Sequence, residues 1–391
     1  MTVVGAGIGG LTAALALARI GRQVTLIERR TGFTEVGAGL QLSPNANRVL
    51  ATLGLAPAIA RAASEPARVV VRSISSGQQI GEVALGSFMR ERYKAPYYVI
   101  HRADLQTILL DAVRGQPGIR LLMGRAVSGL TQDADGVSLS VDRAGGAQEE
   151  LASGIVVGAD GVWSKVRPLI GDLRQPGFHG HVAWRATIPR SEAPAALAGD
   201  ETGLWLGSGG HVVHYPIAGG KRINIVAIQK RGAPVTGWAE PGDRSELLGH
   251  FGRAAPQLRA LLEAPDEWLM WSLYDLPAKT MARGRVALLG DAAHPVLPFL
   301  AQGAALAIED AAGLANALAH DRPAQDALQS YARIRLPRAR ALQQAARKNG
   351  GVYHAGALVS LGRNLVMGRL GAQGMTERYG WVYGWDPASS L

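Results

Sequence analysis

The sequence predicts an α/β protein in which a dinucleotide-binding domain is interrupted by antiparallel β-rich segments and followed by C-terminal helices. A short apolar strand, Met1–Val4, runs directly into the glycine-rich turn Gly5–Gly10. Stretches with strand-like alternation cover about 67–99 and 178–275, and one predicted helical stretch at about 243–263 interrupts the second. An apolar helix followed by an Ala/Arg-rich helix is predicted for 302–348. A β-rich domain inserted into a nucleotide-binding domain explains this alternation.

The bulk composition limits the function classes. With 391 residues, 47% hydrophobic and 18% charged, the chain is expected to be globular with two domains. The net charge of +10 favours anionic partners, but no long basic run or nucleic-acid motif is present, so we expect no nucleic acid partner. The lack of cysteine excludes disulfides and thiolate sites, and we expect no metal. The sequence has no apolar run of about 18 residues, so we expect no membrane-spanning helix.

The first 28 residues carry the strongest local signal. Gly5 permits a tight turn after the strand, Gly7 lets a pyrophosphate approach the backbone, and Gly10 allows close helix–sheet packing. The helix that follows would offer free N–H groups to phosphates. A second strand, Val24–Ile27, ends at Glu28, where a carboxylate can bind an adenosine ribose.

Two further turns follow predicted buried strands. They are Gly158-Ala159-Asp160-Gly161 and Gly290-Asp291-Ala292-Ala293-His294-Pro295. Because ligands bind at the carboxyl ends of strands in open α/β sheets, all three turns are predicted to converge on one extended cofactor. Between them, Ser43 and Pro44 predict the start of a helix.

The three turns in this order resemble the single-component FAD-dependent aromatic hydroxylases. Within that family the chain is most similar to the salicylate, 3-hydroxybenzoate and 6-hydroxynicotinate hydroxylase branch. The resemblance covers nearly the whole chain. It includes the segments GAGLQLSPNA, HRADL, HYPI, AQGAALAIEDA and the final Trp-x-Tyr-Gly-Trp-Asp. It implies a Rossmann-like FAD-binding domain of the GR2 type, an inserted antiparallel substrate domain and C-terminal helices.

The resemblance also implies the cofactor site. Glu28 would bind the ribose, Arg29 and Arg102 would lie near the phosphates, and Asp160 would serve both FAD and the NAD(P)H encounter. Asp291 would bind the ribityl chain, Pro298 would lie beside the flavin, and a helix N-terminus would point at the flavin N1–C2=O edge. The full predicted set is Gly5, Gly7, Gly10, Glu28, Arg29, Gln41, Arg102, Asp160, Asp291, Pro298, Gln302, Gly303 and Ala304.

The implied reaction is hydroxylation of an aromatic substrate, phenolic or heteroaromatic and acidic. NADH or NADPH would reduce FAD, O2 would give a C4a-hydroperoxyflavin, and its distal oxygen would pass to the ring. Three alternatives stay open: an epoxidase, a reductase on the same scaffold, or a non-catalytic dinucleotide-binding redox sensor.

The catalytic candidates lie in one predicted strand, Gly210–Ile217. Strand alternation would place His211, Val213 and Tyr215 on one side and His214 on the other. The resemblance favours His211 as the group that assists deprotonation of a substrate hydroxyl, with Tyr215 beside it and His214 as the alternative. Candidate substrate contacts are Trp184, Arg185, Val213 and Phe299.

Other predictions concern structure rather than chemistry. His294 is expected to be a structural histidine, and Glu309 and Asp310 are expected to pair locally within their helix. The chain is expected to be cytoplasmic and either a monomer or a homodimer. The predicted FAD-binding domain is 1–72, 97–176 and 276–320, the β-rich domain is 73–96 and 177–275, and a helical segment is 321–391.

Overall fold

The computed structural model describes residues 1–33, 39–237 and 239–389. Part of the glycine-containing loop predicted after Glu28, residues 34–38, lies outside the described residues. Up to residue 176 the strands are β1 (Thr2–Val4), β2 (Val24–Glu28), β3 (Gly39–Leu42), β4 (Arg68–Ser73), β5 (Gln79–Ala84), β6 (Tyr98–His101), β7 (Ile119–Met123), β8 (Arg125–Gln132), β9 (Val137–Arg143), β10 (Gln148–Ser153) and β11 (Val156–Gly158). The helices of this part are α1 (Ile8–Arg19), α2 (Pro44–Thr52), α3 (Ala56–Ala62), α4 (Gly86–Tyr93), α5 (Arg102–Arg114) and α6 (Val166–Leu169).

The rest of the chain is strand-rich first and helical afterwards. Its strands are β12 (Gly177–Pro189), β13 (Thr202–Gly207), β14 (Gly210–Ile217), β15 (Arg222–Lys230), β16 (Glu240–Pro241), β17 (Leu269–Asp275), β18 (Ala282–Arg283) and β19 (Val286–Leu288). Its helices are α7 (Arg244–His250), α8 (Pro256–Glu263), α9 (Gly303–Leu318), α10 (Ala324–Tyr353), α11 (Ala357–Glu377) and α12 (Gly380–Tyr383).

A six-stranded sheet in the order β18-β19-β11-β1-β2-β7 forms the nucleotide-binding half. Its strands pair in parallel except for the β18–β19 edge. Apolar strands such as β1 and β11 are buried, because α1, α5 and α9 cover the sheet with alanine and leucine side chains. The predicted α/β class is therefore confirmed.

An eight-stranded sheet in the order β16-β17-β12-β15-β14-β13-β4-β5 forms the second half. Its pairs are antiparallel except β4–β13, which is parallel. The outer face packs on α7 and α8 through an apolar cluster that includes Trp184 and Val212. The inner face packs on the segment before α9 and on α10, with Ala183 and Ile228 against Phe299 and Ala346.

The sheets bear on the predicted domain boundaries without deciding them. β4 begins at Arg68, so this strand of the large sheet crosses the predicted boundary at 72/73. The segment 125–153 forms a separate three-stranded sheet, β10-β9-β8. The division into three segments stays a prediction.

Local structure differs from the sequence prediction in two helical regions. The single helix expected near 243–263 is two helices, α7 and α8, because Pro256 begins a new helix and cannot continue the previous one. The second long helix, α10, runs to Tyr353 and retains Pro337 in its interior. Among the described residues, no helix has the length and apolar composition needed to cross a membrane.

His214 makes the core of the large sheet sensitive to acid. Its fully buried ring lies against Gly203 and near Trp205, and both ring nitrogens lack a hydrogen-bond partner among the described residues. Burial, followed by the charge of Arg72, lowers the pKa of His214 to about 3. The unfolded chain, with a histidine pKa of about 6.5, binds a proton that the folded chain does not. Stability is therefore complete above about pH 6.5 and is lost as the pH falls toward 3.

We expect the free energy of unfolding of His214→Phe to decrease less than that of the wild-type protein as the pH falls below about 6.5. A pKa of about 3 implies that His214 removes about 2 kcal/mol of stability between about pH 6.5 and 5, and phenylalanine of similar shape does not titrate. Urea unfolding at about pH 5 and about pH 8 measures the difference in the free energy of unfolding between the two pH values. The exposed residue His320 supplies the control, His320→Gln, which should leave the difference unchanged. If His214→Phe loses as much stability between about pH 8 and about pH 5 as the wild-type protein does, His214 is not the source of the acid sensitivity.

Candidate functional site

The three glycine-containing turns lie side by side at one edge of the six-stranded sheet. β1 pairs in parallel with β11, and β11 pairs in parallel with β19. Gly5, Asp160 and Gly290 therefore follow the carboxyl ends of neighbouring strands. Arg167 Nη1 also donates to the Ala292 carbonyl at 3.1 Å, which joins the second turn to the third. The predicted convergence is confirmed, and it creates a site for an extended ligand.

The first turn has the geometry of a phosphate cradle. Gly5 has a φ of +100°, and a Cβ there would lie 2.6 Å from the Ala159 carbonyl oxygen. A Cβ on Gly10 would lie 1.8 Å from the Gly5 carbonyl oxygen, so neither position accepts a side chain. A Cβ on Gly7 would meet nothing within 4 Å. Gly7 thus faces open space at the N-terminus of α1, where an anion is favoured.

Glu28 ends β2 beside this cradle. Its carboxylate accepts hydrogen bonds from the backbone N–H of Ala6 at 2.8 Å and of Arg30 at 3.0 Å. The side chain that would bind the ribose is thereby held in place, with acceptor capacity left for a hydroxyl. Arg29 is exposed. The neighbouring Arg30, which the sequence analysis missed, is the cation close enough to Arg102 to lower its pKa.

Arg102, at the start of α5, and Asp291, in the third turn, carry opposite charges at the cleft. Both side chains are exposed, yet partial desolvation lowers the pKa of Arg102 and raises the pKa of Asp291. The charge of Asp291 counteracts the shift of Arg102, and the charges of His294 and then Arg102 counteract the shift of Asp291. Residues from α5 and from the third turn therefore influence each other electrostatically at this cleft.

The Asp160 carboxylate stabilises the second turn and the residues that follow it. One carboxylate oxygen accepts from the Ser164 hydroxyl at 2.6 Å, and the other accepts from the Lys165 N–H at 2.7 Å and the Val166 N–H at 3.2 Å. These bonds fix the segment that enters α6. The predicted direct role of Asp160 toward FAD and NAD(P)H stays a prediction.

The segment before α9 closes the cleft. Pro298 is exposed, and Gln302 is the N-cap residue of α9, followed by the partly exposed Gly303 and Ala304. The first N–H groups of a helix have no partner within it, so this end of α9 favours negative charge. Gln302 is buried, and its amide donates to the Ser43 hydroxyl at 2.9 Å. Ser43 is the N-cap of α2, as predicted, but its hydroxyl serves this contact instead of capping.

The segment before α9 packs against the inner face of the large sheet, and the side chains of that face next to Phe299 are called the chamber. The register aligns Arg185 with Val226 and Val226 with Val213, so these side chains share the face that carries His211 and Tyr215. Phe299 contacts the His211 ring with a centroid separation of 5.6 Å. Four of the predicted catalytic and substrate residues, with Phe299 opposite, are thus brought together: His211, Val213, Tyr215 and Arg185.

The polar groups of the chamber are arranged to bind a ligand. Burial raises the pKa of Tyr215, so its hydroxyl remains a donor at neutral pH. Arg185 Nε is buried without a hydrogen-bond partner among the described residues, and its guanidinium lies 5.0 Å from the Trp271 ring centroid. Burial lowers the pKa of Arg185 to about 10, which leaves it charged at pH 7. Gln41, on β3 at the rim, accepts a hydrogen bond from Tyr97.

Two predicted site residues point away from the chamber. Trp184 lies on the outer face of the sheet, fully buried, and its indole N–H donates to Gln229 at 2.7 Å. His214 also lies on that outer face. Strand alternation is the physical reason, because Trp184 precedes Arg185 by one residue and His214 lies three residues after His211. The proposed substrate contact of Trp184 is therefore wrong, and His214 is not placed as the alternative base.

A buried ionic network supports the cleft from behind. Glu309 and Asp310 do not pair locally within α9, contrary to expectation, but bond to Arg335 of α10 at 2.8 and 2.7 Å. Asp310 also accepts from His294 and from the Gly290 N–H at 3.0 Å. His294 is thus structural, as expected. The long α9–α10 contact, invisible in local sequence, decides these partners.

The arrangement fits FAD, and comparison with known proteins agrees. The family described as FAD binding domain matches residues 1–346. The chain is 34% identical to a 3-hydroxybenzoate 6-hydroxylase of Klebsiella oxytoca, over all of this chain and 97% of that protein. It is 34% identical to a 6-hydroxynicotinate 3-monooxygenase of Bordetella bronchiseptica, over 80% of this chain and 81% of that protein.

Solved structures resemble the whole chain. HpxO of Klebsiella pneumoniae, complexed with FAD and uric acid, superposes with a TM-score of 0.85 at 27% identity, covering 100% of this chain and 97% of the other. A salicylate hydroxylase substrate complex gives a TM-score of 0.82 at 26% identity, covering 100% and 96%. The open cradle, the opposite charges of Arg102 and Asp291 and the family match agree. The chain therefore belongs to the family of FAD-dependent aromatic hydroxylases, with FAD as its cofactor.

Proposed function

We propose that this enzyme uses NADH or NADPH and O2 to hydroxylate a small aromatic acid that carries a ring hydroxyl. The observation that carries the proposal is the chamber, where a neutral imidazole, a phenol hydroxyl and an unpaired guanidinium share one sheet face. The substrates named for the relatives, 3-hydroxybenzoate and 6-hydroxynicotinate, combine a carboxylate with a ring hydroxyl.

His211 is proposed to take the proton of the ring hydroxyl. When bound, FAD supplies the redox and oxygen chemistry, and the chain must make the ring electron-rich. A phenol with a pKa of about 10 costs roughly 4 kcal/mol to ionise at pH 7. Burial keeps the pKa of His211 well below its usual value, so the ring is neutral and can accept a proton. Tyr215, on the same face, is proposed to donate a hydrogen bond to the resulting phenolate.

Arg185 is proposed to bind the substrate carboxylate. Arg185 is partly buried and forms no salt bridge with a described acidic side chain, so a bound carboxylate would supply a partner in a charge-assisted bond. Trp271 holds the guanidinium by stacking. Val213 and Phe299 are proposed to form the apolar walls around the ring.

NAD(P)H is proposed as a transient partner. The sequence holds one G-x-G-x-x-G turn at the start of the chain, and the cleft behind it is assigned to FAD. A nicotinamide donor would therefore dock from outside near the Asp160 turn. We also propose a cytoplasmic location, because NAD(P)H is supplied there. A monomer and a homodimer are both compatible with this function.

A substrate screen with labelled oxygen tests the proposal. The holoenzyme is mixed with NADH or NADPH and with 3-hydroxybenzoate, salicylate, 6-hydroxynicotinate or a quinolone. We expect at least one acid to accelerate NAD(P)H oxidation and to acquire one atom from isotopically labelled O2, detected by mass spectrometry. Failure to bind FAD, or NAD(P)H oxidation without labelled product for every acid, would contradict it.

Arg185→Met should weaken binding of the acid substrate selectively. A hydrogen bond to a charged group contributes about 1.5–3 kcal/mol, so Kd for the acid should rise about 10- to 150-fold. Methionine keeps an apolar stem against Trp271. Flavin absorbance titrations measure Kd for the acid and for its neutral amide analogue, whose Kd should change much less.

The matched control is Arg222→Met, an exposed arginine on the neighbouring strand β15. It should leave both dissociation constants unchanged. Equal weakening of the acid and the amide by Arg185→Met would indicate a distorted chamber and would overturn the carboxylate role.

A further inference from the structure

Four histidines form a continuous row that begins at His211. His179 and His181 lie on the inner face of β12, and His354 directly follows α10. The His181 and His354 rings stack with centroids 4.9 Å apart, and the His179 and His181 rings stack at 5.2 Å. Phe299 contacts all four rings at centroid distances of 5.6–6.0 Å. The row therefore borders the chamber on the side of α10.

The first step of the row is a direct hydrogen bond. His211 Nδ1 lies 2.7 Å from His354 Nε2, so one nitrogen donates and the other accepts. His211 is only 4% exposed, whereas His354 is half-buried and has access to solvent. His211 Nε2 has no hydrogen-bond partner among the described residues and is the nitrogen left for a ligand. A proton taken up at Nε2 can leave only through Nδ1.

The arrangement of the rings is unsuited to a metal ion. Two successive pairs stack face to face at interplanar angles of 28° and 27°, and His179 Nδ1 lies 3.2 Å from His181 Nδ1, within hydrogen-bonding distance. Within the described ranges no group of three or more metal-binding side chains could hold an ion. A proton, which needs only one donor and one acceptor at each step, suits this geometry.

The surroundings keep the row neutral and disfavour a lasting charge on any ring, so a proton that reaches the row must be passed on. Burial, then the charges of His181 and His179, lowers the pKa of His354 to about 4. Burial also lowers the pKa of His181 and of His179. The other groups that act on the row from neighbouring elements are Tyr353 of α10, Lys230 of β15, Asp275 of β17 and Arg347 of α10.

We propose that His354 is a positioning and proton-relay residue that carries the substrate proton from His211 to solvent; this role rests on the proposed function. The substrate O–H bond breaks and its proton binds His211 Nε2. The proton on His211 Nδ1 passes to His354 Nε2, and the proton on His354 Nδ1 passes to water. Each imidazole ends neutral with its tautomer reversed, so the charges balance: phenolate in the chamber and one proton in solvent.

Proton release on ligand binding tests the relay in the FAD-loaded enzyme. Stopped-flow mixing with 3-hydroxybenzoate, or with 6-hydroxynicotinate if only that acid perturbs the flavin spectrum, follows flavin absorbance and a pH indicator together. We expect the wild-type enzyme to release one proton as the acid binds. His354→Gln, which can still hydrogen-bond His211 but cannot relay a proton, should slow release at least tenfold and leave Kd within about twofold. Added imidazole should restore the rate.

The matched control is His250→Gln, the same change at an exposed histidine at the end of α7, behind the outer face of the same sheet. It should release the proton at the wild-type rate. Release at the wild-type rate in His354→Gln, no release from the wild-type enzyme, or slow release that imidazole does not rescue would overturn the relay while leaving the proposed hydroxylation standing. If neither acid binds, the relay proposed for these substrates is overturned, whereas the hydroxylation proposal is decided by the full substrate screen.

Discussion

His211→Gln should lower hydroxylation about 10²- to 10⁴-fold, the usual contribution of a positioned acid–base group. Glutamine keeps polar contact with His354 but cannot take the substrate proton. The remaining rate should rise with pH toward the phenol pKa of about 10, because the ring then ionises without a base. Product formed per NAD(P)H consumed, measured across the pH range with a saturating substrate, shows both effects.

FAD uptake should be unaffected by His211→Gln, because His211 lies on the large sheet and not in the cofactor cleft. The His250→Gln enzyme should keep both rate and pH profile. A His211→Gln enzyme with the wild-type pH profile would rule out His211 as the base, even if its rate were lower.

Arg335→Met should destabilise the folded enzyme by about 3–5 kcal/mol, because it removes a counter-charge that the buried Glu309 and Asp310 share and leaves each carboxylate only its remaining partner, Arg338 or His294. Arg335 is fully buried, with Nε 2.7 Å from Asp310 and Nη2 2.8 Å from Glu309. Burial alone would raise the pKa of Asp310, but the charges of His294 and Arg335 lower it below the usual value. Urea unfolding of the apo and FAD-loaded protein measures the loss.

Arg333→Met is the control for this prediction, since Arg333 is exposed on the same helix. It should change stability by no more than about 0.5 kcal/mol. Because Asp310 also holds the Gly290 N–H, Arg335→Met should weaken FAD binding as well. Equal denaturation midpoints for the two variants would show that the network contributes no net stability.

The cofactor half was predictable because its signals are local. Gly5, Gly7 and Gly10 follow an apolar strand within one short segment, and steric requirements of the backbone decide which residues fit there. Strand alternation also separated His211 from His214 correctly, because side chains on a strand change face at every residue. The same rule, applied to Trp184 and Arg185, would have excluded a shared chamber role.

Other features depend on contacts between distant segments. His354 lies 143 residues from His211 in the sequence. The residues around each histidine give no local pattern that predicts the hydrogen bond between them. Glu309 and Asp310 were expected to pair within α9, but the rotation of α10 brings Arg335 to them instead.

By itself, the sequence determined the α/β fold, the FAD cradle and the single sheet face that carries His211 and Tyr215. Local spacing was sufficient there, because turns and strands impose their own geometry over a few residues. Only the tertiary structure decided which charges are paired, that Arg185 has no counter-charge among the described residues, and that His354 completes a path to solvent. Those properties depend on burial and on partners from remote elements, which are set only when the two sheets and the C-terminal helices pack together.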